Sequence, residues 1–272
     1  MEPERRYERP EGLFISVSQL KTYLKCPRQY ELRYVRGVAP AFVPVPLAFG
    51  IAFHRALAAF YGGLKETGSP PELGLLLTVF EDAWKAATNG PVPLQPGDEE
   101  DETVDHLGKG IEMLKVFHAH AFQQENVIVE AVEMPFTVDL HEPDTGEVLE
   151  ERLTGVLDLV LGEDEHRVIV EHKSSAKKYS LDQLRYDIQP SAYGFAAKEL
   201  GWGEIGLRFS ITTKTKSPAM QVEDILRDAG DEDDFLRTVT GVLRSIDAGA
   251  FFPIRGWQCR SCQFQAACRP SR

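Results

Sequence analysis

The chain has 272 residues, 43% of them hydrophobic, enough for one sizeable core, and no stretch of it reads as a transmembrane span. The formal net charge of -12 excludes a protein that coats nucleic acid indiscriminately, because its distant field repels phosphate. The N-terminal MEPERRYERPEGLF is charged and lacks an apolar signal core, so a reducing cytoplasmic location is expected. Ser16 or Ser18 can cap a helix carrying Leu20, Tyr23 and Leu24, and Cys26-Pro27 marks a break before a second turn through Tyr30 and Tyr34. The proline-rich VAPAFVPVP leads to a second helix, LAFGIAFHRALAAFY. Helical periodicity near 72–87 and 101–124, around the loop NGPVPLQPGDEE, predicts a helical insert. From Val127 the period changes to two, and VIVEAVEMPFTVDL, EERLTGVLDLVLG and RVIVEHKSS read as three strands, the first two joined at HEPDTGE. A helix over about 190–200, a strand IGLRFSITT, a helix over about 232–248 and a cysteine loop follow. The order fits an α/β fold, one mixed sheet flanked by helices.

Charge is unevenly placed. Acidic runs at 97–105 and 228–234 read as solvated faces. Basic residues gather as Lys21, Lys25, Arg28, Arg33 and Arg36, as Lys173, Lys177, Lys178 and Arg185, and as Arg255, Arg260, Arg269 and Arg272. A local cationic groove on an acidic body could thread one flexible strand of DNA, with Tyr23, Tyr30 and Trp257 as candidate stacking surfaces or core-packing residues.

Two groups of residues carry chemistry. Cys26 stands alone, and Cys259, Cys262 and Cys268 follow as C-x2-C-x5-C. Two disulfides would suit a secreted chain, and a zinc site of four cysteines usually shows two C-x2-C knuckles. An iron-sulfur cluster tolerates the uneven spacing and is the favoured reading; with Cys26 as fourth ligand it would clip two distant segments together. The second group lies in the strands. Asp158 is costly to bury in LTGVLDLVL unless paired or bound to metal. Glu171 and Lys173, two apart in VIVEHKSS, share a face, with His172 on the other. Asp158 and Glu171 could share Mg2+ or Mn2+, and Lys173 could orient or activate an attacking water. Singly, Asp158 could be a solvated strand end, Glu171 and Lys173 a surface pair, and His54 a hydrogen-bonded core histidine. His118 and His120 point to different faces of a helix and make a poor metal pair.

Taken together, these segments resemble the iron-sulfur members of the RecB-type branch of the PD-(D/E)XK nucleases, over about Ser16 to Cys268. SVSQLKTYLKCPRQYELRYV resembles the opening helix with its first cluster cysteine, and FGIAFHRAL the Gly-x-x-x-His helix. GVLD resembles the second motif, VIVEHK the Glu-x-Lys strand, QPSAY the Gln-x-x-x-Tyr helix, and CRSCQFQAAC, with Phe264, the terminal cluster loop. Two departures stand out: His172 occupies a position more often apolar, and Pro190 makes Gln189 an N-terminal flank of its helix.

The resemblance implies a restriction-endonuclease-like core, with His54, Asp158, Glu171 and the main-chain carbonyl of His172 as metal ligands. It implies that Lys173 serves the nucleophilic water and that Gln189 and Tyr193 position Lys173 or the DNA. Cys26, Cys259, Cys262 and Cys268 would hold a 4Fe-4S cluster. One nuclease domain is expected over 13–272, with an iron-sulfur lobe (16–36 plus 252–268), a helical region (47–125) and a nuclease core (126–215). CRISPR-associated RecB-type nucleases and AddB-type nuclease domains are similar. No G-x4-G-K-[ST] loop occurs, so a helicase or a CRISPR-integration protein would be a separate partner. The expected function is metal-dependent exonuclease action on single-stranded DNA ends. The alternatives are a duplex endonuclease and a non-catalytic iron-sulfur DNA-binding or assembly subunit.

Overall fold

The computed structural model of the protein describes residues 14–95, 105–123, 128–163 and 166–269. Most of the N-terminal charged segment, the acidic run from 97 to 104, Val127 and Arg272 lie outside the described residues.

A short strand β1 (Phe14–Ser16) runs into helix α1 (Val17–Lys25). Ser16 is the cap: its hydroxyl accepts the Gln19 N–H at 3.2 Å, and the Gln19 side chain accepts the Ser16 N–H at 2.7 Å. Pro27 opens the short helix α2 (Pro27–Tyr30), which continues as a π-helical turn over Glu31–Val35. Strands β2 (Val43–Pro44) and β3 (Leu94–Gln95) pair with each other outside the main sheet. Between them run α3 (Val45–Thr67) and α4 (Leu73–Thr88). Helix α3 begins two residues before the predicted LAFGIAFHRALAAFY, because Pro46 is tolerated in a first turn, and ends at Gly68, whose φ of 71° suits glycine. Helix α5 (His106–Phe122) follows.

The three predicted strands are β4 (Ile128–His141), β5 (Val148–Glu163) and β6 (His166–Ser175). Then come α6 (Leu181–Tyr186), α7 (Ile188–Glu199), β7 (Ile205–Thr213), β8 (Met220–Ile225), α8 (Ala229–Asp247) and α9 (Gln265–Cys268). The sequence reading did not anticipate β1, β8 or α6, which are short or polar.

The main sheet is mixed. β5 pairs with β4 antiparallel along most of its length, so its other edge is shared by β1, parallel over Arg152–Thr154, and β6, antiparallel over Leu159–Glu163. β6 then pairs with β7 in parallel, and β8 closes the far edge antiparallel to β7. Among the described residues, no strand pairs with residues 155–158 of β5 on that edge. A fork opens where β6 leaves β5, and Asp158 lies at its apex.

Helices cover both faces. One face carries Leu153, Leu157, Val160 and Ile169 against α1, α7 and α8, through Leu20, Tyr193, Phe195, Phe235 and Val239. The other carries Leu159, Leu161, Val168 and Val170 against α3, α4 and α5, through Phe49, Phe53, Phe60, Phe80 and Phe117. The predicted helical region is thus a layer sharing a core with the sheet. Helix α3 has the length and apolarity of a membrane span, but Phe49, Ala52, Phe53, Ala56, Leu57 and Phe60 are buried against protein. Tyr23 and Tyr30 are also buried, which removes them as stacking surfaces: they meet edge to face at 5.5 Å, and the Tyr23 hydroxyl donates to the Ala250 carbonyl at 2.7 Å. Trp257 is 76% exposed.

Candidate active site

The fork explains the polar residues in these apolar strands. Where β5 and β6 separate, the His172 N–H donates to Asp158 Oδ2 at 2.8 Å, replacing the lost strand partner with a carboxylate. On the same free edge, the Val156 carbonyl lies 3.2 Å from the Tyr193 hydroxyl. His54, on the buried helix α3, places Nδ1 3.4 Å from Asp158 Oδ2. Burial pulls the His54 imidazole down, but the hydrogen bond and charge of Asp158 outweigh it and hold the group above its usual value. Asp158 answers in the opposite sense: burial raises it, while His54 and the His172 N–H bring it below the usual carboxylate range.

Glu171 and Lys173 point to one face, as the period-two reading expects, and their side chains are ion-paired. Glu171 Oε2 lies 2.8 Å from the Tyr193 hydroxyl, the Lys173 ammonium donates to Gln189 Oε1 at 3.0 Å, and Gln189 Nε2 donates to the Tyr193 oxygen at 2.7 Å. Four side chains thus close a ring. Burial raises the Glu171 carboxyl despite Lys173; burial lowers Lys173, but Glu171 more than compensates and keeps the ammonium charged. Gln189 sits in the first turn of α7, with Pro190 directly after it where no N–H is needed. One turn separates Gln189 from Tyr193, so both side chains project over Glu171. Asp187 caps this helix, accepting the Gln189 N–H at 2.8 Å and the Lys21 ammonium of α1 at 2.7 Å.

Sequence reasoning missed Glu133. It lies on β4 between pairs Val132–Leu159 and Met134–Leu157, directly across from Asp158, at φ 48°. A left-handed non-glycine residue costs on the order of 1–2 kcal/mol and is rare inside a strand. Ligand atoms of His54, Glu133 and Asp158 all lie within 4.8 Å of one another. In the sequence Glu133 reads as an outward residue of an alternating strand. The alternation breaks at this row: Val132 and Met134 pack on opposite faces of the sheet, as do Leu157 and Leu159. His172, by contrast, is sealed in. Its ring stacks on Tyr61 at 5.5 Å, neither ring nitrogen has a hydrogen-bond partner among the described residues, and burial depresses it to about 4.

The cysteines meet elsewhere. Cys26 ends α1, and with Cys259, Cys262 and Cys268 it lines one small cavity whose wall also includes Leu32, Pro253 and Arg255. All four are free thiols, and burial followed by the neighbouring thiols pushes Cys262 up. Main-chain hydrogen bonds from Arg28 to Phe252 and from Ala41 to Gln263, both 3.1 Å, bind the two segments together.

A mixed sheet between helical layers, with a forked pair of strands presenting Asp158 and a Glu-x-Lys pair, defines a class of metal-using phosphodiester-cleaving folds. The sequence model of the PD-(D/E)XK nuclease superfamily matches residues 15–269, and the chain belongs to that superfamily. A crystal structure from Eubacterium rectale described as "Putative exonuclease" shares the fold, with a TM-score of 0.55, 12% identity, and coverage of 95% of this chain and 89% of that one. The crystal structure of SSO0001 aligns over 97% of this chain and 88% of its own length at 14% identity, with a TM-score of 0.46. No curated protein matches the sequence.

Proposed function

We propose that the chain is a divalent-metal-dependent deoxyribonuclease acting on single-stranded DNA ends, in repair and recombination or in CRISPR-linked DNA processing. The buried Glu171–Lys173 pair beside Asp158 at the strand fork carries this reading. His54, Asp158, Glu171 and the His172 carbonyl are the proposed ligands, and oxygen donors with one imidazole suit Mg2+ or Mn2+. When bound, such an ion supplies a water acidic enough to attack at neutral pH and offsets charge on the phosphate.

The chain's own residues do the rest. Lys173, kept charged by Glu171, is a donor and a cation, not a base: it orients the attacking water and meets charge growing on the phosphate oxygens. Gln189 fixes its ammonium, and Tyr193 fixes Glu171, so neither group must reorganise during reaction. Exposed Lys177, Lys178 and Arg185 just beyond β6 give local contacts to one flexible strand, while the acidic body opposes a rigid duplex.

The same reading assigns Cys26, Cys259, Cys262 and Cys268 to a 4Fe-4S cluster, supported by four soft donors lining one cavity. The lobe formed by 16–36 and 252–268, the helical region 47–125 and the core 126–215 would then work as one domain over 13–272. A helicase or CRISPR-integration protein is the proposed partner.

The test is cleavage of single-stranded and duplex DNA, each with free or blocked ends, in Mg2+ and Mn2+. Free single-stranded ends should be degraded, and Glu171→Gln or Asp158→Asn should slow turnover about 100-fold or more with DNA binding kept. Equal cutting of blocked duplex would make it an endonuclease. Binding without cutting would make it an assembly subunit.

A further inference from the structure

We propose that Glu133 is a ligand of the divalent cation held at His54 and Asp158, a step that rests on the metal-site reading above. Glu133 lies across from Asp158, between the pairs Val132–Leu159 and Met134–Leu157, and Glu171 comes next after the last β5–β6 pair, Leu159–Val170, so the three carboxylates gather in a row at the mouth of the fork. Directly opposed like charges on neighbouring strands destabilise a sheet, so a row of three carboxylates has a reason to exist if a cation sits among them. Glu171 is the least available of the three: Lys173 and Gln189 hold one side of its ring of partners and Tyr193 the other, so both its oxygens are engaged. Glu133 is the most available. Its carboxylate makes no hydrogen bond or ion pair among the described residues, and it joins His54 and Asp158 in the set whose ligand atoms lie within 4.8 Å. The site therefore offers His54, Asp158 and Glu133 as a ready three-point set.

The backbone supports the assignment independently of the side chains. Glu133 adopts a φ of 48° within a strand, and at this row both β4 and β5 change the face to which their apolar residues point. Met134 packs on the face away from α3 and Val132 on the α3 face, and Glu133 lies between them, its carboxylate close to the ligand atoms of His54 and Asp158. A purely structural glutamate gains nothing from the arrangement, since glycine or asparagine adopts that φ with less strain.

The experiment is Mn2+ titration of the full-length protein without DNA, followed by calorimetry and by the loss of the free-Mn2+ electron paramagnetic resonance signal. Glu133→Gln, Glu133→Asp and Asp158→Asn are compared with the parent, each checked for folding by circular dichroism. Direct ligation predicts at least tenfold weaker Mn2+ binding for Glu133→Gln. It predicts a clear loss for Glu133→Asp as well, which keeps the charge but withdraws the carboxylate by one methylene. Parental affinity in Glu133→Gln alongside a large loss in Asp158→Asn would overturn the role of Glu133 while leaving the site itself standing. Weakening in Glu133→Gln but not in Glu133→Asp would reduce Glu133 to a distant charge and also overturn ligation. An Asp158→Asn protein that binds Mn2+ like the parent would remove the metal-site reading and this inference together.

Discussion

His172 shows how much one side chain can cost at acid pH. Burial, together with the charges of His54 and Lys173, depresses its imidazole to about 4 against an unperturbed value near 6.5. Between those values the unfolded chain binds a proton that the folded chain refuses, so stability is present above the unfolded pKa and is lost as pH falls toward the folded one. The loss amounts to about 3 kcal/mol at its limit. Denaturant titrations of metal-free His172→Leu protein at several pH values between 4 and 7 should show a shallower acid decline, by roughly one proton. An unchanged slope would mean the ring takes its proton in place. The variant keeps the backbone N–H that holds Asp158, so the fork should survive. The same residues show what was legible in sequence. Asp158, Glu171 and Lys173 could be read because polar groups in apolar strands demand a reason. His172 stood out because it replaced an apolar residue. Glu133 could not be read, since its outward position is ordinary and its positive φ leaves no mark on the sequence.

Among the elements, the long periodic ones were legible and the short or polar ones were not. β5 and β6 were bounded within two residues because their apolar runs are continuous. β8 was missed because MQVEDI is a short edge strand with no fully buried residue and with Val222 and Asp224 exposed. The packing of α4 on α5 was also hidden, and it depends on one glycine. A Cβ placed on Gly110 would lie 2.1 Å from the Phe80 ring, which is fully buried between the helices and cannot swing away. Gly110→Ala should therefore destabilise the protein by about 1–3 kcal/mol, even though alanine favours a helix by about 1 kcal/mol elsewhere. Thermal melts decide which effect wins: a higher midpoint would show that the ring can yield.

Across the whole molecule, two segments over 220 residues apart share one cavity, and α1 joins that cavity to the ring around Lys173. Cys26 lies at the end of α1, while Lys21 on the same helix reaches Asp187 at 2.7 Å and Gln189 at 3.3 Å. Cys26→Ser should lower iron content in anaerobically purified protein from about four per chain and reduce stability. Zinc in place of iron in the parent protein would rule out the cluster. The spacing of these cysteines already carried the expectation that they belong together, whereas the link from α1 to Gln189 needed coordinates, because nothing in the sequence pairs Lys21 with Asp187.

That link has a consequence for a chain emerging from the ribosome. Every residue of the carboxylate row is available once β6 has been made, and Gln189 follows Lys173 by 16 residues. Helices α1 and α2, made early, must wait for Ala250 to accept the Tyr23 hydroxyl, for Phe252 to accept the Arg28 N–H, and for residues 259–268 to enclose Cys26. A growing chain thus carries its row of carboxylates and Lys173 for some time before the helix that reaches Gln189 is anchored, so the fork is assembled well before it is braced.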